Sequence, residues 1–472
     1  MEKPLFELFF KAYKKILAGI SDNIISLGVN LFSMVLVERY YGHQGLGVFA
    51  YFISVYYTGG IISEFGIPLY LETHYAEFKK KDKELIFLAH CFKTLLATSI
   101  ICLLFFFITA LSDVYFTQIN DDVLGYLIIG AAIPFKNLNT LIKSKLQAEG
   151  RISFVSKYNI IKKVIFIIIL LGLMQPGTPV SMLLISFFLS ELFFFIPTIK
   201  TIKFFKIILK KVKYFQTLVH AYDYFFYEKA LDIFFYIDFF ILGLFMSSQE
   251  LGIYAETGIF IRFFLLFVFS IKPIIQRYFA TLFVDKKTLN LEKALYKISG
   301  IVFYINSLLC IYLLFYYEDI LDYLFLTKGE ESMSFMIFIY TLPGLLFFSV
   351  AIVFEVYISV SKNSNLLKSI IIKTIILNII LNLYLIPFSG LYGAAVATML
   401  SMAAYFALIM NLLNLNIFKT FGFNYISGVS FMYLFYKFLP VTGMSIVLIP
   451  FILGIAYYFS GIFDIKTSKQ TT

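Results

Sequence analysis

The chain reads as an all-α integral membrane protein, two six-helix lobes in parallel repeat followed by a C-terminal helix pair. Three observations predict that class. Hydrophobic residues make up 60% of the sequence and charged residues only 14%, whereas about a quarter of the residues in soluble domains are charged. Apolar runs recur along the chain, each close to the roughly 20 residues that a helix needs to cross a bilayer. The chain also repeats itself: Leu46-Gly-Val-Phe-Ala50 returns as Leu251-Gly-Ile-Tyr-Ala255. Prolines keep step with that repeat, Pro68 with Pro273 and Pro134 with Pro343, and Ile160-Ile161-Lys162 with Pro176 matches Ile371-Ile372-Lys373 with Pro387.

The first run, 17–38, follows a polar and basic opening without a small-residue cleavage site, so it is expected to be retained as a span. The second, 47–73, opens on the repeated motif and contains Pro68; the third, 86–111, and the fourth, 123–148, flank an acidic connection at Asp113, Asp121 and Asp122. Runs at 153–175 and 179–200 complete a first lobe over 1–200. Residues 201–216 carry lysines and apolar residues at helical spacing. That stretch reads either as an interfacial amphipathic helix or as a tether whose lysines fix topology. The second lobe, 217–414, holds runs at 217–246, 251–279, 294–317, 333–360, 366–388 and 391–414. Its Gly390-Leu-Tyr-Gly-Ala-Ala-Val-Ala-Thr398 stretch offers small residues for close helix packing. The remainder, 415–472, has no counterpart in the first half and contains two weaker runs, so the sequence allows twelve or fourteen spans. Because six spans per lobe is an even number, both lobes enter from the same side.

A formal net charge of +10 raises the question of nucleic acid, and the placement of the charge answers it. Lys79, Lys80, Lys81 and Lys83 fill the second connection, Lys143, Lys145 and Arg151 the fourth, Lys203 to Lys213 the sixth, and Arg277 to Lys297 the eighth. Acids occupy the alternate connections. Lysine and arginine excess marks cytoplasmic loops, so both termini are expected inside. The basic surface is expected to meet anionic lipid rather than nucleic acid. Cys91, Cys102 and Cys310 lie within apolar runs and read as core residues, and the four histidines lack ligand spacing, so neither a metal nor another cofactor is expected.

Ionisable groups inside spans cost about 2.5–3.5 kcal/mol each at a helix centre and require a partner or a wet cavity. Counting about 1.5 Å per residue from the cytoplasmic ends, Asp22, Glu64 and Lys93 share one depth, Lys136 falls near the midplane, and Lys373 lies about as deep as Lys93. The seventh span carries Asp223, Glu228, Lys229, Asp232 and Asp238, with Arg262 at a matching depth on the eighth. Either these charges pair to fix helix packing, or they line a hydrated cavity. On the second reading Lys136, Arg262, Lys93 and Lys373 are candidates to hold an anion, arginine through its bidentate fork. Asp22, Glu64, Asp232 and Asp238 are then candidates to bind a coupling proton or Na⁺.

At Asp238-Phe-Phe-Ile-Leu-Gly243, Leu251-Gly-Ile-Tyr-Ala255, Pro273, Asn378, Asn382, Pro387 and Gly390 to Thr398, the chain resembles the bacterial polysaccharide and O-antigen flippases of the multidrug/oligosaccharidyl-lipid/polysaccharide exporter superfamily. Leu46 to Ala50, Gly66-Ile-Pro68 and Gln147-Ala-Glu-Gly-Arg151 carry the resemblance into the first half. It implies two six-helix lobes in a V around a central cavity. It further implies a non-enzymatic flippase of the bacterial inner membrane, moving undecaprenyl-diphosphate-linked oligosaccharide units outward by ion-coupled alternating access for O-antigen-like surface polysaccharide. Other polysaccharide assembly proteins would be its partners. Two alternatives stay open, an ion-coupled multidrug exporter of the same fold and a membrane polysaccharide polymerase.

Overall fold

The computed structural model describes residues 3–111, 123–198, 210–228, 230–284, 288–325, 331–360 and 364–413. No strand occurs among them. The helices are α1 Lys3–Glu64, α2 Ile67–Lys80, α3 Glu84–Leu111, α4 Val123–Ala148, α5 Ile152–Leu173, α6 Val180–Leu183, α7 Ile185–Thr198, α8 Tyr214–Glu228, α9 Ala230–Phe245, α10 Ser248–Val284, α11 Thr288–Phe325, α12 Glu331–Val360 and α13 Ser364–Leu412. The C-terminal pair expected over 415–472, and residues 201–209 of the basic linker, lie outside the described residues.

Where the expected spans differ from these helices, the backbone gives the reason. The first two spans are one long element, α1, interrupted at Gly42, whose φ of 68° and ψ of −174° no helix contains. The second span does not run straight to residue 73. It stops at Glu64, passes through Phe65 (φ 48°) and Gly66 (φ 73°), and restarts as α2 with Pro68 in its first turn. Glycine is required at 66 twice over: its φ is left-handed, and a Cβ there would lie 2.3 Å from the Phe225 nitrogen. In the last two spans, α13 is interrupted in the same manner at Gly390 (φ 55°). The sixth span is split into α6 and α7 at Leu184.

The start of α10 is a capping box. Glu250 Oε2 accepts from the Ser247 nitrogen (2.9 Å) and hydroxyl (2.7 Å), while the Glu250 nitrogen donates back to Ser247 Oγ at 3.4 Å. Replacing Ser247 with alanine is expected to cost about 1 kcal/mol, measured as a lower midpoint in thermal unfolding of the detergent-solubilised protein.

Six helices among the described residues are long and apolar enough to cross a membrane. Their outward surfaces match the solvent they are built for. On α3, Ile101 is 66% and Ile108 63% exposed, with Leu104 and Phe105 beside them; an apolar stripe of that kind belongs against lipid. The protein is a multi-pass membrane protein. At about 1.5 Å per residue, the 37-residue α10 and the 38-residue α11 exceed the roughly 30 Å hydrocarbon layer and extend beyond it.

The chain divides into two compact units, one from Met1–Ala255 with Ile379–Ala394, the other from Glu256–Asn378 with Ala395–Thr472. In the first, Ile67, Leu71, Phe87, Leu88, Phe92, Leu138 and Ile142 form a core joining α2, α3 and α4. Near it Glu149 accepts from Tyr75 and Lys145, each at 3.0 Å. Burial raises the Glu149 carboxyl, but the Lys145 ammonium and the Tyr75 hydroxyl outweigh it and hold it below the ordinary carboxylate range. In the second unit, Tyr317, Ser334 and Thr257 share buried hydroxyl contacts, Tyr317 to Ser334 at 2.6 Å and Thr257 to Ser334 at 3.0 Å.

Candidate functional site

The charged centre of the first unit is assembled by α1, α4, α5 and α7. On α4, Lys136, Asn139 and Lys143 recur at three- and four-residue spacing and so share one face. Opposite Lys136, α1 presents Gly59 and Gly60. A Cβ on Gly60 would fall 2.1 Å from the Lys136 ammonium, so the missing side chain is the space into which the lysine extends. There it meets Glu64 at 3.2 Å, with the two side chains 12% and 4% exposed. The rings of Tyr56 and Tyr57 stand 5.7 and 6.0 Å from the same ammonium, within cation–π reach.

Tyr56 connects this pair to a second one. Its hydroxyl donates to Glu191 Oε1 at 2.7 Å, and Lys162 donates to the same oxygen. Asn139 Nδ2 donates to Glu191 Oε2 at 2.8 Å and to the Glu191 carbonyl at 2.9 Å, while Tyr158 donates to Asn139 Oδ1 at 3.1 Å. Lys143 lies 5.5 Å from the Tyr158 ring. Beside Lys136, Asn137 donates to Ser63 (2.7 Å) and Ser99 (2.9 Å), tying α1, α3 and α4 together. Three lysines therefore surround two carboxylates. An anion that displaced Glu64 from Lys136 would find an ammonium already held in place beside two tyrosine rings.

The structure gives Glu64 and Lys93 different partners. Glu64 is buried and pairs with Lys136 on α4, not with Lys93. Lys93 instead donates to the Lys210 carbonyl at 2.8 Å, within the basic linker. Asp238 is buried on α9, where it accepts from Asn382 at 2.7 Å and from Tyr254 at 3.4 Å. The side chains of Asp22 and Asp232 lie outside the described residues. Arg262 is half-buried on α10 and Lys373 exposed on α13, both in the second unit. That unit has its own buried pair, which the depth comparison missed: Lys272 donates to Glu355 Oε1 at 2.8 Å and Tyr405 to Glu355 Oε2 at 2.9 Å. Glu191, Lys162, Glu355 and Lys272 all carried the same signal, an ionisable residue inside an apolar run.

The model of a polysaccharide biosynthesis protein family matches residues 36–330, more than half of the chain. The chain belongs to that family. Among curated proteins no sequence matches this family member. Solved structures do resemble it. A lipid II flippase, MurJ, in an inward closed conformation aligns with a TM-score of 0.69 at 18% identity, covering 96% of this chain and 98% of that one. An inward-facing multidrug resistance transporter of the MATE family and MOP superfamily gives a TM-score of 0.63 at 11% identity, covering 90% and 100%. The MATE multidrug transporter DinF-BH gives 0.56 at 15%, covering 88% and 95%. The polysaccharide biosynthesis family member thus has the all-α fold of the MOP transporters.

Proposed function

We propose that this protein is a flippase that carries undecaprenyl-diphosphate-linked oligosaccharide from the cytoplasmic to the periplasmic leaflet of a bacterial inner membrane, with both termini cytoplasmic. The observation that carries the reading is the buried Glu64–Lys136 pair beside the rings of Tyr56 and Tyr57, in a chain of a polysaccharide biosynthesis family. MurJ, a lipid II flippase, supports the reading through its fold. Burying a diphosphate and many hydroxyls in hydrocarbon costs many kcal/mol, so the head group needs a polar route while its polyprenyl tail remains in lipid. Lys136 supplies positive charge on that route within the first unit; Arg262, Lys93 and Lys373 stay candidates from the sequence alone.

Glu64 and Asp238 are the buried carboxylates that best suit a coupling proton or Na⁺. Each already holds a partner that a cation or proton would compete with, Lys136 for Glu64 and Asn382 for Asp238. The MATE likeness favours a second reading, ion-coupled drug export. Deleting the gene separates the two. Lipid-linked repeat units, measured by mass spectrometry and by protection from an external glycosidase, should accumulate on the cytoplasmic side while drug susceptibility stays unchanged. Normal export with heightened drug sensitivity would reverse the choice.

Replacing Gly60 with alanine supplies a finer test of the same centre. The added methyl would occupy the position of the Lys136 ammonium, and because that ammonium is the tip of a flexible chain it swings away without unfolding the helix. Flipping is expected to fall severalfold, with a lower melting temperature because Glu64 loses its ammonium, in protein that stays folded. Wild-type rates in Gly60→Ala would mean that the position of the lysine does not matter.

A further inference from the structure

The duplicated motif seen in the sequence has a physical purpose that transport across the polar centre does not explain. Gly47 belongs to its first copy and Gly252 to its second. A Cβ on Gly47 would stand 1.7 Å from the Ser248 carbonyl oxygen and 2.8 Å from the Gly252 nitrogen, and one on Gly252 would stand 2.1 Å from the His43 carbonyl oxygen. In each case the obstacle is backbone, which cannot swing aside as a side-chain tip does. Neither glycine has a left-handed φ, so glycine is present here for close approach alone.

The two contacts are images of one another. Position 43 maps to 248 and 47 to 252, each by 205 residues (248 minus 43, 252 minus 47). Gly47 meeting Ser248, and Gly252 meeting His43, is therefore the reciprocal pattern that a two-fold axis imposes on a self-complementary interface. Each copy is delivered to the axis by a break just before it, Gly42 in α1 and the Ser247–Glu250 box at the start of α10. Leu46, Phe49 and Ala50, with Leu251, Tyr254 and Ala255, are all buried around the contact.

Away from this end, the second half of α1 continued by α2 runs antiparallel to α9 and α8, and the two remain in touch along their length. A Cβ on Gly243 would lie 2.4 Å from the Tyr51 ring; Tyr57 stacks on Tyr236 at 4.9 Å and Phe65 on Phe225 at 5.8 Å; and His74 meets the Tyr224 hydroxyl at 2.8 Å. Most of those contacts involve side chains that can slide or re-pair; the exception is Gly66, which meets the Phe225 and Ala221 backbone near the opposite end and is a second close joint. The Gly47–Gly252 joint, with backbone on both sides and glycine in both copies, has no such freedom.

We propose that the two Leu-Gly-x-aromatic-Ala copies form an outer latch: their glycine backbones meet when the periplasmic end is closed and part when it opens to release the head group. The assignment of this end to the periplasm rests on the flippase reading and its topology. Because the joint is made of backbone, its strength is set by how closely the chains approach, and a single methyl on either glycine weakens the closed form.

The test is a distance measurement that needs no substrate. Spin labels are placed on cysteines at Gln44 and Gln249, two exposed positions related by the same 205-residue step (249 minus 44). The background carries Cys91→Ala, Cys102→Ala and Cys310→Ala, and the protein is held in lipid nanodiscs. The otherwise unaltered protein should show a short-distance population; Gly47→Ala and Gly252→Ala should each shift at least half of it to longer distance. Gly28→Ala, whose Cβ would meet nothing within 4 Å, should leave it unchanged. An identical distribution in folded Gly47→Ala and Gly252→Ala protein would overturn the latch. If the alanine variants do not fold, the same cysteine pair joined by a cleavable bis-maleimide should stop flipping and recover it on cleavage, and full activity of the joined protein would equally overturn the proposal. A protein that shows the shift but moves no lipid-linked sugar would remove the flippase reading and leave the latch in place.

Discussion

Glu191→Ala should destabilise the first unit more than any other single substitution at the charged centre, by about 3–5 kcal/mol, the usual cost of removing one member of a buried ion pair. The carboxylate is 2% exposed, and Glu191 accepts four hydrogen bonds at once, from Lys162, Tyr56 and twice from Asn139. Its removal leaves an ammonium and two polar side chains from three different helices without their carboxylate acceptor. Since a domain's whole stability is about 5–15 kcal/mol, much of the folded protein should be lost, seen as a lower melting temperature and less monodisperse material after detergent extraction. Glu191→Gln keeps an acceptor for Tyr56 and should cost less. The double variant Glu191→Leu with Lys162→Met should recover part of the loss, because it removes the stranded charge together with its partner. A melting temperature unchanged in Glu191→Ala would show that the cluster contributes nothing to the fold.

For function, the largest effect is expected at Lys136. Lys136→Ala strands the buried Glu64 carboxylate and should lower the melting temperature; in the protein that remains folded it should reduce flipping by about 10- to 150-fold, the equivalent of losing one charge-assisted hydrogen bond of about 1.5–3 kcal/mol to the head group. Glu64→Gln should separate binding from coupling: the ammonium stays in place and loses its competitor, so head-group affinity rises while the response to an ion gradient weakens. Reconstituted transport rates with and without a pH or Na⁺ gradient distinguish these effects. Full restoration of flipping by Lys136→Met with Glu64→Leu would mean that the pair only holds α1 against α4.

Hydropathy made the helices legible, because lipid imposes a length and an absence of charge that leave a plain mark; α4 and α12 lie almost where the runs at 123–148 and 333–360 end. Breaks within runs were less visible. The restart at Phe65–Gly66 has a local mark, the left-handed Gly66 followed by Pro68 in the first turn of α2, but the close approach of Phe225 that also requires glycine there is a long-range contact. At the site, depth along the helix marks Glu64 and Lys136 but does not give Lys136 as the partner of Glu64, since depth says nothing about which way a side chain faces. Lys93 shows the consequence: it shares Glu64's depth and yet reaches the linker carbonyl of Lys210. Glu191 and Glu355 were readable by the same rule of charge within an apolar run. The partners of Glu191 were not, because Lys162, Asn139 and Tyr56 come from three separate helices.

The most direct measurement of the central claim is flipping of a fluorescent undecaprenyl-diphosphate-linked oligosaccharide in proteoliposomes, followed by quenching with a membrane-impermeant reductant. The account predicts that wild-type protein raises the reducible fraction from one leaflet toward both, that an imposed ion gradient accelerates it, that Lys136→Ala slows it, and that Glu64→Gln weakens the acceleration. Wild-type vesicles indistinguishable from protein-free vesicles, with the protein folded and oriented, would contradict it.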